Sequence, residues 1–94
     1  MYLQKEREMI VDYGKRMLKA GLTRGAGGNL SIYNRAESLM AITPSGIPYE
    51  EITAEDVMVM RLDGTIVEGN KTPSSEHAMH AIVYRNRPDV GGML

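Results

Sequence analysis

Residues 57–62 are the feature of this sequence that most constrains its fold. They read VMVMRL, so every residue except Arg61 is apolar. A strand with one face in water alternates apolar and polar residues, whereas a short continuous apolar run is typical of a strand buried on both faces. We therefore predict a strand here that is covered by other elements on each side.

Two antiparallel hairpins are predicted around this strand. Asp63-Gly64 follows it directly and is a strong signal for a two-residue hairpin turn, after which residues 65–68 return as the partner strand. Upstream, residues 30–33 alternate apolar and polar side chains, residues 34–37 form a polar turn, and residues 39–42 return. These segments supply the strands of the predicted fold.

The first predicted helix covers residues 3–20, and Gly21 is a suitable residue to end it. Residues 53–56 are predicted to form a short helical or turn connection. The buried stripe of the helix is predicted from apolar residues at helical spacing, which are Ile10, Tyr13, Met17 and Ala20.

The second helix is predicted over residues 74–86 and stops before Pro88. Glu76 and His80 lie together along one flank, whereas His77 points away. The first two could form a local metal site, but two side chains on one helix are too few for a typical site, and a solvated or hydrogen-bonded His80 is more common. The predicted buried face consists of Ala78, Met79, Ile82 and Val83.

Composition limits the chain to one domain and excludes several functions. It has 94 residues, no Cys, eight Met, five Tyr and a net charge of −1. The core should therefore be rich in Met, and thiolate nucleophiles, thiolate metal sites and disulfides are excluded. The balanced charge predicts no broad attraction to nucleic acid or to an anionic membrane. Because the start of the chain is charged and no long apolar run occurs, we expect a cytoplasmic protein.

Three turns share a composition that suits anion binding. They are GGNLS at residues 27–31, TPSG at 43–46 and TPSSE at 72–76. Pro73 fits the first turn of the second helix, where hydroxyl side chains cap free N–H groups and the helix end attracts phosphate without a charged side chain. The segments predict an anion pocket beside the Glu76 carboxylate. The alternative is that they are ordinary turns and caps.

The sequence closes on an apolar segment. After Pro88-Asp89 it reads VGGML, which is typical of the opening of a strand. Domains more often close on polar sequence. We therefore expect that residues 1–94 are the N-terminal part of a larger domain, cut within an element.

In their order and spacing, these motifs resemble those of the class II aldolase/adducin family. After the long helix come GNLS at residues 28–31, ITPSGIPY at 42–49, Glu68-Gly69, PSSE at 73–76, and residues 84–89. The resemblance covers essentially the whole chain in one register. It implies an α/β fold, namely a three-layer α/β/α arrangement with a largely antiparallel central sheet, of which this chain holds the N-terminal portion.

The resemblance also implies roles for particular residues. Glu76 matches the acid/base of the family, which can touch the metal. The metal-binding residues of the family are a His-x-His pair and a third His, which would lie beyond Leu94; His77 and His80 do not match them. The substrate-phosphate pocket is matched by Gly28, Asn29, Ser45, Gly46, Ser74 and Ser75.

The activity implied by the resemblance is that of a metal-dependent aldolase, with zinc as the expected metal. It would cleave a phosphorylated ketose of the fuculose 1-phosphate type to dihydroxyacetone phosphate and an aldehyde through an enediolate. Members are homotetramers that bind small phosphorylated sugars. Without the His ligands, the 94-residue chain should not bind the metal tightly and should be inactive.

Two alternatives stay open. One is an enzyme similar to L-ribulose-5-phosphate 4-epimerase, whose members usually carry Asp at the position of Glu76, so that Glu76 favours the aldolase. The other is a non-catalytic, adducin-like interaction module. Loss of the pocket residues would be typical of such a module, and Asn29, Ser74 and Ser75 are all present.

Overall fold

The computed structural model describes residues 2–21 and 29–93. Short 3-10 turns at Tyr49–Glu51 and Ala54–Asp56 connect the second and third strands. Within the described ranges, neither helix is both long and apolar enough to cross a membrane. The main elements are α1 (Gln4–Lys19), β1 (Ser31–Asn34), β2 (Leu39–Ile42), β3 (Met58–Met60), β4 (Ile66–Glu68), α2 (His77–Asn86) and β5 (Gly92–Met93).

The strands form one antiparallel sheet in the order β4-β3-β2-β1-β5. Both predicted hairpins are present: β1 pairs with β2, and β3 pairs with β4. The apolar strand expected near the end of the sequence is β5, which pairs with β1. The β3–β4 turn is one residue longer than predicted, because the Arg61 N–H donates to the Thr65 carbonyl at 2.8 Å and leaves three residues in the loop.

Side chains on the two faces of the sheet form two separate cores. Along β2, Leu39 and Ala41 contribute to the core beneath α1, whereas Met40 and Ile42 pack in the core that includes Tyr84 of α2. This division follows from the strand period of two residues. The sheet is therefore the middle of three layers, which confirms the predicted α/β/α fold class and the burial of the β3 strand on both faces.

Helix α1 buries Ile10 and part of Met17 from the predicted stripe, but its other buried residues differ from the prediction. Tyr13 is exposed, whereas Arg7 is almost fully buried and forms an ion pair with Glu68 of β4. Gly14 lies against the ring of Tyr49, where its missing side chain leaves room for that ring. Apolar spacing did not reveal this stripe because two of its three members are not apolar side chains: Arg7, Ile10 and Gly14.

The predicted buried face of α2 is wrong. Met79 and Ile82 are more than half exposed, at 53% and 56%. The Ser31 hydroxyl of the sheet lies beneath the helix and is hydrogen-bonded to His80 and Tyr84. The helix face that carries these two polar side chains is therefore the buried one. The buried residues of α2 are His80, Ala81 and Tyr84.

Arg35, in the turn between β1 and β2, holds the end of α2. Its guanidinium donates to the carbonyls of Tyr84, Arg87 and Val90 at 3.3, 2.8 and 2.6 Å. Carbonyls at a helix C-terminus have no partner within the helix, and a cation suits the negative end of the helix dipole. The contact thereby fixes the chain that leads from α2 into β5.

Gly69 offers a test of the core on the α2 face. Its φ is +121°, and an added Cβ would lie 2.5 Å from Sδ of the buried Met58. Gly64 also has a positive φ, +98°, but has open space around it. We expect Gly69→Ala to lower the free energy of unfolding by about 3 kcal/mol and Gly64→Ala by about 1 to 2 kcal/mol, since only the first adds a clash to the backbone strain. Urea denaturation followed by circular dichroism measures both, and equal losses would contradict the clash.

Candidate functional site

The candidate site begins where β1 starts and β2 ends. Because Ser31 pairs with Ile42, the residue before β1 lies opposite the residue after β2. Thr43 and Leu30 exchange two hydrogen bonds there: the Thr43 N–H donates to the Leu30 carbonyl at 3.0 Å, and the Leu30 N–H donates to Thr43 Oγ1 at 3.1 Å. The antiparallel register therefore joins the first two of the predicted turns.

The third turn attaches to the second through its backbone. The Ser74 N–H donates to the Thr43 carbonyl at 3.0 Å, and the Ser45 N–H donates to the Thr72 carbonyl at 2.7 Å. Pro44 and Pro73 lie opposite each other in this short antiparallel bridge. The described parts of all three turns thus lie side by side, whereas Gly28 of the predicted pocket lies outside the described residues.

The start of α2 differs from its predicted geometry. The helix begins at His77, so Pro73 lies before its first turn, where it pairs with Pro44. Ser74 caps this start: its Oγ accepts the Glu76 N–H at 3.2 Å and its carbonyl accepts the His77 N–H at 3.1 Å. The Ser74 hydroxyl proton is still able to donate to an anion, because the oxygen acts as an acceptor in the cap.

The remaining predicted site residues face solvent to different degrees. Asn29 is half-buried and Ser74 is buried. Gly46 has a φ of +78°, a left-handed conformation that favours glycine. Four predicted residues are exposed and accessible to a ligand: Ser45, Gly46, Ser75 and Glu76.

A buried chain of polar side chains lies directly behind Asn29. Tyr84 OH is 2.7 Å from Ser31 Oγ, which is 2.5 Å from His80 Nδ1. The other ring nitrogen, Nε2, is hydrogen-bonded to Asn29 Oδ1. The three inner side chains are each at most 2% exposed. The chain connects the core between α2 and the sheet with the candidate site.

The directions of these hydrogen bonds follow from the donors available. Among the described residues, Ser31 is the hydrogen-bond partner of the buried Tyr84 hydroxyl, so Tyr84 donates to Ser31 Oγ. Ser31 then donates to His80 Nδ1, and the proton of the neutral ring is on Nε2, which donates to Asn29 Oδ1. The hydroxyls of Tyr84 and Ser31 and both ring nitrogens of His80 then each have a partner.

His80 is held in its neutral form by its surroundings. Burial lowers the pKa of the imidazole below 6.5, and the nearby Glu76 carboxylate opposes this effect only in part. Sequence reasoning identified His80 as hydrogen-bonded or solvated but missed the buried chain. The available signal was the pair His80 and Tyr84, which stand four residues apart and so share one helix face.

The described residues do not form a metal site by themselves. No group of three or more His, Asp or Glu side chains gathers within residues 2–21 and 29–93. Both nitrogens of His80 are engaged in hydrogen bonds, so His80 and Glu76 do not form the local metal pair considered from the sequence. Glu76 is the one predicted ligand in this part of the chain.

A separate groove lies between α1 and the sheet, with a volume of about 440 Å³. Its lining includes none of the predicted phosphate-binding residues, and its walls are mainly apolar, which does not suit a phosphate. We therefore do not assign it to the substrate. It is lined by Ile10, Tyr13, Arg16, Met17, Ala20, Leu30, Ser31, Ile32, Gly92 and Met93.

Comparison with known proteins places the chain in a family. The Class II Aldolase and Adducin N-terminal domain matches residues 8–94. The chain therefore belongs to the class II aldolase/adducin family, as its motifs predicted.

Three relatives show how the likeness is distributed. A 5-deoxy-D-ribulose 1-phosphate aldolase from Bacillus thuringiensis serovar kurstaki is 54% identical over 94 residues, which are 100% of this chain and 44% of the relative. An L-ribulose-5-phosphate 4-epimerase from Salmonella paratyphi B is 35% identical over 98% of this chain and 40% of its own. A solved L-fuculose 1-phosphate aldolase superposes with a TM-score of 0.90 at 45% identity, over 94% of this chain and 42% of its own. The chain thus spans less than half the length of each.

The buried neutral His80 predicts a specific pH dependence of stability. Its pKa is lower in the folded than in the unfolded chain, so the unfolded state binds more protons as pH falls from 6.5. The stabilisation is complete above pH 6.5 and is lost below it, by up to about 1.4 kcal/mol per pH unit until the folded-state pKa is reached. Urea unfolding at pH 7.5 and at pH 5 measures the loss.

Two variants assign this loss to its source. His80→Gln should reduce the difference between the two pH values, because its amide does not titrate. His77→Ala, on the same helix, should retain the full difference. An unchanged pH dependence in His80→Gln would contradict the assignment.

Proposed function

We propose that this chain supplies the phosphate anchor and the acid/base of a metal-dependent sugar-phosphate aldolase. The observation that carries the proposal is the joining of the described parts of three hydroxyl- and glycine-rich turns around Thr43, beside the exposed Glu76. Membership of the class II aldolase/adducin family supports it. Residues 1–94 would form the N-terminal part of a larger domain, and the whole enzyme would be a homotetramer.

The proposed anchor is made of uncharged donors. Ser45 and Ser75 have exposed hydroxyls, Gly46 allows close approach to the backbone, and the Ser74 hydroxyl retains a proton to donate. Asn29 presents a carboxamide at the edge of the same group. Neutral donors that are already fixed in place can bind a phosphate without first being reoriented, which reduces the entropic cost of binding.

Glu76 is the proposed proton carrier. It occupies the N-cap position of α2, with its backbone fixed by Ser74 and its side chain exposed. A carboxylate held next to the phosphate anchor lies close to the carbons of a bound sugar phosphate. It can therefore take a proton from the reacting carbon and return it.

The metal belongs to the proposal as a property of the whole enzyme. Divalent zinc would be the expected ion, and His ligands would come from outside residues 1–94. Because the described residues do not form a metal site by themselves, we assign no step of the reaction to a metal held by this chain.

The substrate class that we propose is a ketose 1-phosphate. The relatives that are 54% and 45% identical are named as aldolases of 5-deoxy-D-ribulose 1-phosphate and L-fuculose 1-phosphate. The products would be dihydroxyacetone phosphate and an aldehyde, formed through an enediolate. The second candidate, a 4-epimerase of L-ribulose 5-phosphate, is favoured by the relative that is 35% identical. An adducin-like module without catalysis is the third.

A chimaera separates these candidates. Residues 1–94 would replace the matching residues of the 54% identical Bacillus aldolase, and the product would be assayed on each of the three sugar phosphates. Cleavage of a ketose 1-phosphate supports the proposal, and epimerisation of L-ribulose 5-phosphate would replace it. A folded chimaera with neither activity indicates a non-catalytic module. Sedimentation of the same sample tests the tetramer.

In this chimaera we expect Glu76→Gln to lower kcat by about 100-fold or more and to change KM little. The substitution removes a proton carrier but keeps the size and polarity of the side chain. Steady-state kinetics with the cleaved ketose 1-phosphate measure both constants. A rise in KM with unchanged kcat would contradict the acid/base role.

Ser75→Ala should weaken the affinity for the phosphorylated substrate without removing the chemistry. One lost hydrogen bond to a charged group costs about 1.5 kcal/mol, which corresponds to roughly a tenfold change. Calorimetry measures this loss of affinity in chimaeras that carry Glu76→Gln and therefore turn over little substrate. The affinity for a ketose 1-phosphate is compared between Glu76→Gln alone and Glu76→Gln combined with Ser75→Ala. Equal affinities would remove Ser75 from the anchor.

A further inference from the structure

We propose that His80 is a positioning residue that orients the Asn29 carboxamide toward a bound oxyanion. The inference rests on the proposed function, because it assumes that Asn29 is part of the phosphate anchor. It concerns a residue that matches none of the family's expected ligands and does not itself contact the substrate.

His80 is held firmly in the core between α2 and the sheet. Its side chain has no exposed surface and is hydrogen-bonded through both ring nitrogens. The Ser31 hydroxyl fixes the side of the ring that faces the sheet, and Tyr84 fixes that hydroxyl. Ring orientation and tautomer are therefore determined in the core, away from solvent.

The fixed ring of His80 determines the orientation of the Asn29 carboxamide. A carboxamide can rotate about its last torsion, which exchanges its oxygen and nitrogen. The Nε2–H of His80 requires an acceptor, so it selects the orientation in which Asn29 Oδ1 faces the ring. The NH2 group of Asn29, which is the donor end of the carboxamide, then faces away from His80.

The orientation of the Asn29 carboxamide affects anion binding because of where Asn29 lies. Asn29 directly precedes Leu30, which is hydrogen-bonded to Thr43, and Thr43 is joined to the turn that carries Ser74. Asn29 therefore lies at the edge where the described parts of the three turns meet. If the carboxamide rotated freely, its oxygen would face a phosphate for part of the time and repel it. Fixing the orientation removes that cost before binding.

The test is the affinity of the 94-residue chain for inorganic phosphate, measured by nuclear magnetic resonance titration. Two substitutions of the same residue separate positioning from packing. The amide nitrogen of His80→Gln lies as many bonds from Cα as Nε2 does and can still donate to Asn29. In His80→Asn the amide reaches only as far as Nδ1, so contact with Ser31 is possible but contact with Asn29 is not.

We expect Asn29→Ala and His80→Asn each to weaken phosphate binding by roughly tenfold, the change for one hydrogen bond to a charged group. The phosphate affinity of His80→Gln should stay within about threefold of that of the unmodified chain, because the glutamine amide can still donate its hydrogen bond to Asn29. His77→Ala, on the same helix, should bind phosphate unchanged. Circular dichroism of each variant confirms that it is folded.

The outcomes distinguish the inference from the proposed function. If Asn29→Ala weakens binding while His80→Asn and His80→Gln bind alike, the positioning role is overturned and the anchor stands. If the unmodified chain does not bind phosphate, or binds it equally without the Asn29 side chain, the anchor itself is overturned and the inference with it.

A measurement on the unmodified chain tests the inference even if the variants do not fold. Nitrogen-15 spectra of the imidazole distinguish the two neutral tautomers, and the positioning role requires the proton on Nε2 of His80. A proton on Nδ1 would overturn the inference, whatever the variants show.

Discussion

The antiparallel register of β1 and β2 is the constraint on which the candidate site depends. Because Ser31 lies opposite Ile42, Leu30 lies opposite Thr43, and the two turns at this edge of the sheet meet. A shift of one residue would turn every side chain of β2 to the other face, so that Leu39 and Ala41 would exchange cores with Met40 and Ile42 and disrupt the packing of both. The burial of those residues therefore protects the geometry of the site, although none of them belongs to it.

The α2 layer is packed through polar groups, which is unusual for a core. A buried imidazole and two buried hydroxyls would be costly if any lacked a partner, but the chain from Tyr84 to Asn29 satisfies them all. Apolar packing against Met40 and Met60 stabilises the ring of Tyr84, while its hydroxyl sets the directions of the hydrogen bonds. Packing and site geometry are therefore coupled through one side chain.

Sequence reasoning predicted the strands well because the local pattern of apolar residues indicates strand burial, whereas the three layers were implied by the family resemblance. It failed on the helix faces, where Arg7 and His80 occupy core positions. Each is buried against a partner distant in sequence, Arg7 against Glu68 and His80 against Ser31. The turn composition located the candidate loops, yet which of them would meet depended on the register. Spacing along one helix could not reveal the link from His80 to Asn29, which are 51 residues apart.

The six residues of the predicted phosphate anchor are all uncharged, and this choice has a chemical consequence. A lysine or arginine in the same place would bind phosphate more strongly through its positive charge, but it would also pair with the carboxylate of Glu76 and hinder the proposed proton transfer. Neutral donors avoid that competition. Their weaker individual attraction must then be offset by fixed orientation, since a donor that is already aligned loses little entropy on binding. A buried hydrogen-bond chain behind Asn29 is one way in which a small fold can supply that alignment without adding charge.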